Sequence, residues 1–361
     1  MVKFDNDISA AAVKCLREGI PFCLFMTPEC EDVNFFANPS MTAGTSTFQN
    51  PSPRSEKTHE VFFIGDWLQK SDRFHFIHNE MDAADVLQYR YIGVNNAPST
   101  VNFSISKSDY LNRIEEVIDL VGEEHLGKVV ISRAVNRPGI TPEQCLEKLP
   151  AIFEAYPRSF RHLYYTSSTG AWLGASPELL LHADTGSGTF STMSLAGTRA
   201  TCNEDDPWSA KDIDEQRIVT RYIQHLFDSV NLRTVTSHPF TLTTGNLQHI
   251  CTLLEAKTET PHNPFQLIDL LNPTPALCGF PRNRAEEIIA LMESHQRRCY
   301  GGVVGVMNKH HTRAYVNLRC INFDKENTCA FAGGGILAQS HPLHEWEETQ
   351  RKLQSITRFL S

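Results

Sequence analysis

The 361-residue chain has no C-x-x-C pair, no G-x-G-x-x-G or G-x-S-x-G motif, no internal repeat and no apolar run of membrane-spanning length. Each absence removes a class of protein. Without closely spaced ligand pairs, the ten cysteines do not describe a zinc site. Scattered through apolar runs, they read as small buried hydrophobes of a reducing compartment, the cytoplasm. Without the glycine fingerprint there is no dinucleotide fold to argue, and without the nucleophile elbow no hydrolase serine. The opening residues, MVKFDNDISAAAVKCLREGIPFCLF, carry Asp5, Asp7 and Glu18 through the stretch that a secretory signal would keep apolar. Basic excess is also lacking. Lys and Arg number 33 against 42 Asp and Glu, a net charge of −9, which argues against nucleic acid or an anionic membrane as partner. An anionic small substrate would need a metal or a few placed cations.

What is present is ordinary globular composition, 41% hydrophobic and 21% charged, enough for a sizeable core. Residues 37–55 are rich in Ser, Thr, Pro and Asn and read as a long surface loop. Short alternating segments predict strands at 61–64, 129–135, 162–166, 179–182, 302–307, 313–323 and 328–332, the last three as a run of antiparallel hairpins. Helical period appears over 109–121, 212–230 and about 343–360. Strands and helices that do not alternate regularly favour an α+β architecture with antiparallel sheet.

Helical phase singles out several carboxylates. Glu215 lies three before Ile218, four before Val219 and seven before Tyr222, so it begins the apolar face of its helix and points inward. On the last helix Glu345, Glu348 and Lys352 share a face bordering the Trp346–Leu353–Ile356–Leu360 stripe, while Glu347 points away. Inward carboxylates need a partner, and oxygen ligands suit Mg²⁺. The plainer alternative is a solvated face with an i,i+4 Glu348–Lys352 pair. Glu178 enters the apolar run Leu179–Leu181, where desolvation would hold a carboxyl protonated as a general acid; the alternative is a turn facing water. Lys128 heads the strand Val129–Arg133 and is either a solvated end residue or, in a dry site, a base. The clusters around Gly197–Thr198 and Gly333–Gly335 offer backbone donors to an anion, or else mark bulges. Arg319, placed on a strand face with Tyr315 and Asn317, can clamp a carboxylate or simply line an exposed face, and His249, bracketed by apolar residues, reads by itself as a satisfied core histidine.

In this order, the segments 128–133, 174–181, 195–199, 209–219, 247–252, 272–281, 300–305, 316–320, 331–336 and 345–353 resemble the chorismate-utilising family of isochorismate, salicylate, anthranilate and aminodeoxychorismate synthases. The likeness runs from about residue 120 to the end of a chain read as one domain, with 1–120 as a variable lead-in. It implies two large antiparallel sheets packed face to face, helices outside and the site between them. It also implies Mg²⁺ on Glu215 and Glu348 with Glu345 beside them, and chorismate held by Gly197, Thr198, His249, Gly333, Arg319 and Lys352. Lys128 falls where ammonia-using members carry glutamine, and Ala196 where aminodeoxychorismate synthases carry a nucleophilic lysine. The segment Asn272–Pro281, with Ala276 and Leu277 at the pocket, is similar to the isochorismate synthase version. Asn272 and Gln216 depart from the usual histidines. The resemblance therefore implies water activation by Lys128, protonation of the leaving hydroxyl by Glu178, no amidotransferase subunit, and a product for menaquinone or siderophore synthesis; a monomer is the default expectation. The alternatives are a salicylate synthase, an amine-using subunit or a scaffold without catalysis.

Overall fold

The structure, a computed structural model, describes residues 2, 4–41, 60–92, 98–201 and 206–360. The strands of the first part of the chain are β1 (Phe22–Met26), β2 (Asn34–Ala37), β3 (Val61–Gly65), β4 (His75–His78), β5 (Lys128–Pro138), β6 (Phe160–Thr166), β7 (Gly170–Ser176), β8 (Leu179–Asp184) and β9 (Thr189–Ala200). The later ones are β10 (Thr234–Thr236), β11 (Phe240–Thr244), β12 (Leu247–Lys257), β13 (Gly279–Phe280), β14 (Val303–Met307), β15 (His311–Val316), β16 (Cys320–Phe323) and β17 (Asn327–Ile336). Helices are α1 (Asn6–Glu18), α2 (Ala83–Gln88), α3 (Lys107–Glu123), α4 (Pro142–Ala155), α5 (Ala210–Ser229), α6 (Pro264–Leu271), α7 (Arg282–Met292) and α8 (Pro342–Thr357). None of these helices is long and apolar enough to cross a membrane.

The strands form two antiparallel sheets. One runs β13-β5-β17-β16-β7-β6-β1-β2, the other β10-β12-β9-β8-β15-β14-β3-β4, with β11 on β12. Period-two geometry sends successive side chains to opposite faces, and in the central strands both faces are buried, while the β10–β11–β12 end exposes one. In β1, Phe22, Leu24 and Met26 join a core shared with α1 and α4, while Cys23 and Phe25 face the other sheet. In β3, Phe62 and Ile64 point into the same inter-sheet layer, and Val61 and Phe63 pack with Phe265 and Leu271 of α6. Aromatic rings fill that layer, among them Phe160 stacked on Tyr315 at 4.6 Å and Trp172 on Phe331 at 5.7 Å. The α+β sandwich with helices outside is the architecture expected.

The expected single strand over 313–323 is two strands in two sheets: β15 pairs with β8, and β16 with β7. A two-stranded ribbon thus passes from one sheet to the other, and the chain turns at Arg319 with φ +46°. Arg319 therefore stands at a crossing and shares no strand face with Tyr315. Residues 37–55 were read as loop, but Ala37 closes β2, and residues 42–55 lie outside the described residues.

Candidate active site

The crossing opens a cleft between the sheets. Its atom-free space, open solvent at the mouth included, is about 720 Å³. Glu178, Gly197, Thr198, Glu215, His249, Ala276, Leu277, Arg319, Gly333, Glu348 and Lys352 all line it. Lys128 and Glu345 lie just behind the lining.

Glu178 occupies the turn that carries β7 into β8, 3% exposed, and one of its carboxyl oxygens is buried without a partner. Burial pushes its pKa up to about 7, against the pull of Lys128 and Lys352. Lys128 is 1% exposed and its Nζ is 2.6 Å from Glu215 Oε1. Gly335 makes room for this pair, because a Cβ there would stand 2.4 Å from Glu215 Oε1 and 2.5 Å from Lys128 Cε. Glu215 is presented by α5, whose first turn is capped by Ser209. Gln216 next to it is buried and its amide donates to Ser194, Thr220 and Thr252. At this position, where histidine is usual, the glutamine amide nitrogen thus finds hydroxyl acceptors on β9, α5 and β12.

On α8, Lys352 Nζ lies 2.7 Å from Glu348 Oε1 and donates to Gly333 O at 2.9 Å. Lys211 Nζ lies 2.6 Å from Glu345 Oε1. Burial and the neighbouring Glu348 raise the Glu345 pKa, whereas for Glu348 burial is outweighed by Lys352 and Lys211, which hold it low. Glu347 is exposed, as the helical phase requires.

On the opposite wall, Gly197 and Thr198 of β9 face the single residue His249 of β12. The register shifts there, and Gly197 has φ +67°, a bulge that only glycine enters without strain. The bulge turns the Gly197 carbonyl to His249 Nδ1 at 2.9 Å. That bond assigns the proton to Nδ1, so Nε2 accepts from Arg319 Nη2 at 2.7 Å. Burial and Arg319 pull the imidazole down to about 3, keeping it neutral. Arg319 Nη1 donates to Thr244 O at 3.0 Å. The guanidinium is thus aimed by two acceptors on the neighbouring sheet.

Sequence reasoning did not single out Tyr300, Leu318 and Phe331, which also line the cleft, or Lys211. Tyr300 and Phe331 were present only inside matching segments. Lys211 had a usable signal: it is four residues before Glu215, on the same helical face.

Residues 54–361 match the model of a family described as chorismate binding enzyme. The chain belongs to that family. Among its relatives is the isochorismate synthase EntC of Escherichia coli strain K12, 33% identical over 66% of this chain and 63% of that protein. Another is the vibriobactin-specific isochorismate synthase of Vibrio cholerae serotype O1, 30% identical over 70% of this chain and 67% of that protein. The chain thus spans just under two thirds of the EntC length. Among solved structures, MenF, the menaquinone-specific isochorismate synthase from Escherichia coli, superposes with a TM-score of 0.75 at 18% identity, covering 99% of this chain and 92% of that one. Anthranilate synthase component I from Streptococcus pneumoniae TIGR4 gives 0.68 at 14% identity, over 93% and 90%. At these identities the solved structures speak to the fold, which is the same two-sheet sandwich.

Proposed function

We propose that this protein is an isochorismate synthase, which moves a hydroxyl around the chorismate ring. The observation that carries the reading is Glu178: a buried carboxyl, held near pH 7 in its acid form, on a cleft whose other walls bear Arg319 and Lys352. In this reading Lys128 takes a proton from the water that attacks ring C2. Glu178 gives its proton to the departing C4 hydroxyl, and the ring double bonds shift. Arg319 and Lys352 bind the carboxylates of the substrate, with donors from the Gly197–Thr198 bulge and Gly333. Ala276, Leu277 and His249 shape the wall around the ring.

Magnesium fits the carboxylate set. Among the described residues no three His, Cys, Asp or Glu side chains close into a cage. However, Glu215 and Glu348 reach the cleft from two different helices, and Glu345 keeps a buried oxygen without a partner. A two-carboxylate site completed by waters and a substrate oxygen is how Mg²⁺ is commonly held. Glu215 and Glu348 would hold it, with Glu345 adjacent, and it would neutralise the ring carboxylate of the substrate. Among the described residues nine cysteines are free thiols, which supports a cytoplasmic setting. Lysine at position 128 supports a water-using enzyme without an amidotransferase partner, and a monomer is the default assembly of this reading. Its product suits menaquinone or siderophore synthesis.

The test is incubation of pure protein with chorismate and Mg²⁺, with and without ammonium, followed by chromatography of ring products and a lactate dehydrogenase assay for pyruvate. Isochorismate alone is expected. Stoichiometric pyruvate and salicylate would make it a salicylate synthase, and anthranilate an amine-using enzyme.

A further inference from the structure

Behind the cleft wall lies a buried ion pair that the proposed chemistry does not use. Arg297, 3% exposed, follows α7. Its Nε is 2.9 Å from Glu293 Oε2 and its Nη2 2.5 Å from Glu293 Oε1. The remaining donors go to two backbone carbonyls at 2.8 Å: Nη1 to Leu277 O and Nη2 to Val130 O. Glu293 Oε1 also accepts from the Ser132 N–H at 2.7 Å. Trp67 covers the guanidinium, 4.2 Å from ring centroid to Cζ.

The two carbonyls belong to neighbouring segments of the cleft lining, for β13 pairs with β5 and Val130 N donates to Cys278 O at 2.8 Å. Val130 is on β5, two residues beyond Lys128, and Leu277 is on the turn before β13; both line the cleft. Burying a charge pair is expensive, and apolar side chains would fill the same space at lower cost. What apolar groups cannot do is hold two carbonyls and a carboxylate in one plane at fixed angles, which the guanidinium fork does. We propose that Arg297 and Glu293 are a positioning pair that sets the Leu277 wall against β5, and with it the fit of the cleft around the substrate ring. This inference rests on the proposed function.

A matched control exists. Arg161, 2% exposed, likewise donates to three backbone carbonyls, those of Thr27, Cys30 and Phe153, and none of these residues lines the cleft. A lysine at either position keeps the charge and reaches fewer of the acceptors. Arg297→Lys and Arg161→Lys are compared by melting temperature, by KM and kcat for chorismate, and by amide exchange over residues 128–132 and 274–279. Loss of one charged hydrogen bond to a wall corresponds to about a tenfold effect. In Arg297→Lys, KM rises about tenfold, kcat changes less, and exchange quickens in both segments. In Arg161→Lys, the melting temperature falls while KM stays within about twofold and those segments exchange as before. Wild-type KM and exchange in a folded Arg297→Lys, or an equal KM rise in Arg161→Lys, overturns the proposal. Should Arg297→Lys not fold, Glu293→Gln, which keeps the shape and removes the charge, is read in the same way. A wild-type protein that leaves chorismate untouched overturns the proposed function instead, and the exchange comparison still decides the clamp.

Discussion

Replacing Glu178 by glutamine keeps its shape and removes its titration, so the variant separates the chemistry of this group from its effect on folding. Burial carries the carboxyl from an ordinary 4.5 to about 7. Below about 4.5 it is protonated in both the folded and unfolded chain and contributes no pH dependence. Between those values the unfolded chain ionises first, so wild-type stability falls as pH rises. Above about 7 both states are ionised and the deficit is constant. At 1.36 kcal/mol per pH unit, the full deficit is about 3 kcal/mol. Glu178→Gln should therefore gain about 3 kcal/mol relative to wild type between pH 4.5 and 8, measured by urea unfolding in a chelator. The same variant should lose turnover by a factor of about 10²–10⁴, the usual worth of a general acid. Wild-type kcat should itself decline on the alkaline side of about pH 7. A stability difference that is flat from pH 4.5 to 8 would refute the buried-acid reading, even if activity were lost.

Three further outcomes test the rest of the site. Glu215→Ala and Glu348→Ala should each abolish Mg²⁺-dependent turnover and weaken Mn²⁺ binding followed by electron paramagnetic resonance; near-normal rates at low Mg²⁺ would remove the ligand assignment. Lys128→Gln should reduce isochorismate formation about 10²–10⁴-fold, and normal rates would move the base role elsewhere. Gly335→Ala should push its new methyl into the Lys128–Glu215 pair, costing about 1–3 kcal/mol of stability and most of the turnover. An active Gly335→Ala protein of unchanged melting temperature would show that the pair does not need this close approach.

The parts of the site that a single helix can specify were legible in the sequence. Helical phase set Glu215 on an apolar face, Glu345 and Glu348 at the border of the α8 stripe and Glu347 away from it, with a solvated Glu348–Lys352 face as the plainer alternative. In the structure Glu215 and Glu345 are buried, Glu348 is half-buried and paired with Lys352, and Glu347 is exposed. The three leucines after Glu178 offered a dry environment, but a turn facing water fitted the same residues, and only the ordered set of motifs favoured the buried acid. Lys128 was harder, because its burial depends on Glu215, a partner from a distant helix that no local spacing reveals. Strand β1 hid for a related reason: with both faces buried, Phe22–Met26 shows no polar alternation. The break at Arg319 was invisible because no proline or glycine marks it. Its left-handed backbone is enforced by bonds to Thr244 and His249 on the facing sheet.

The ribbon formed by β7–β8 and β15–β16 belongs to both sheets at once, and Glu178 and Arg319 sit where it crosses. Val316 N donates to Glu178 O, and Ala175 N to Arg319 O, so the two strands stay laced through the crossing. Such a splice works as a rivet. The sheets cannot slide or swing apart without tearing hydrogen bonds next to the acid and the arginine. The gap that receives the substrate therefore has a width fixed at folding, like a gauge block.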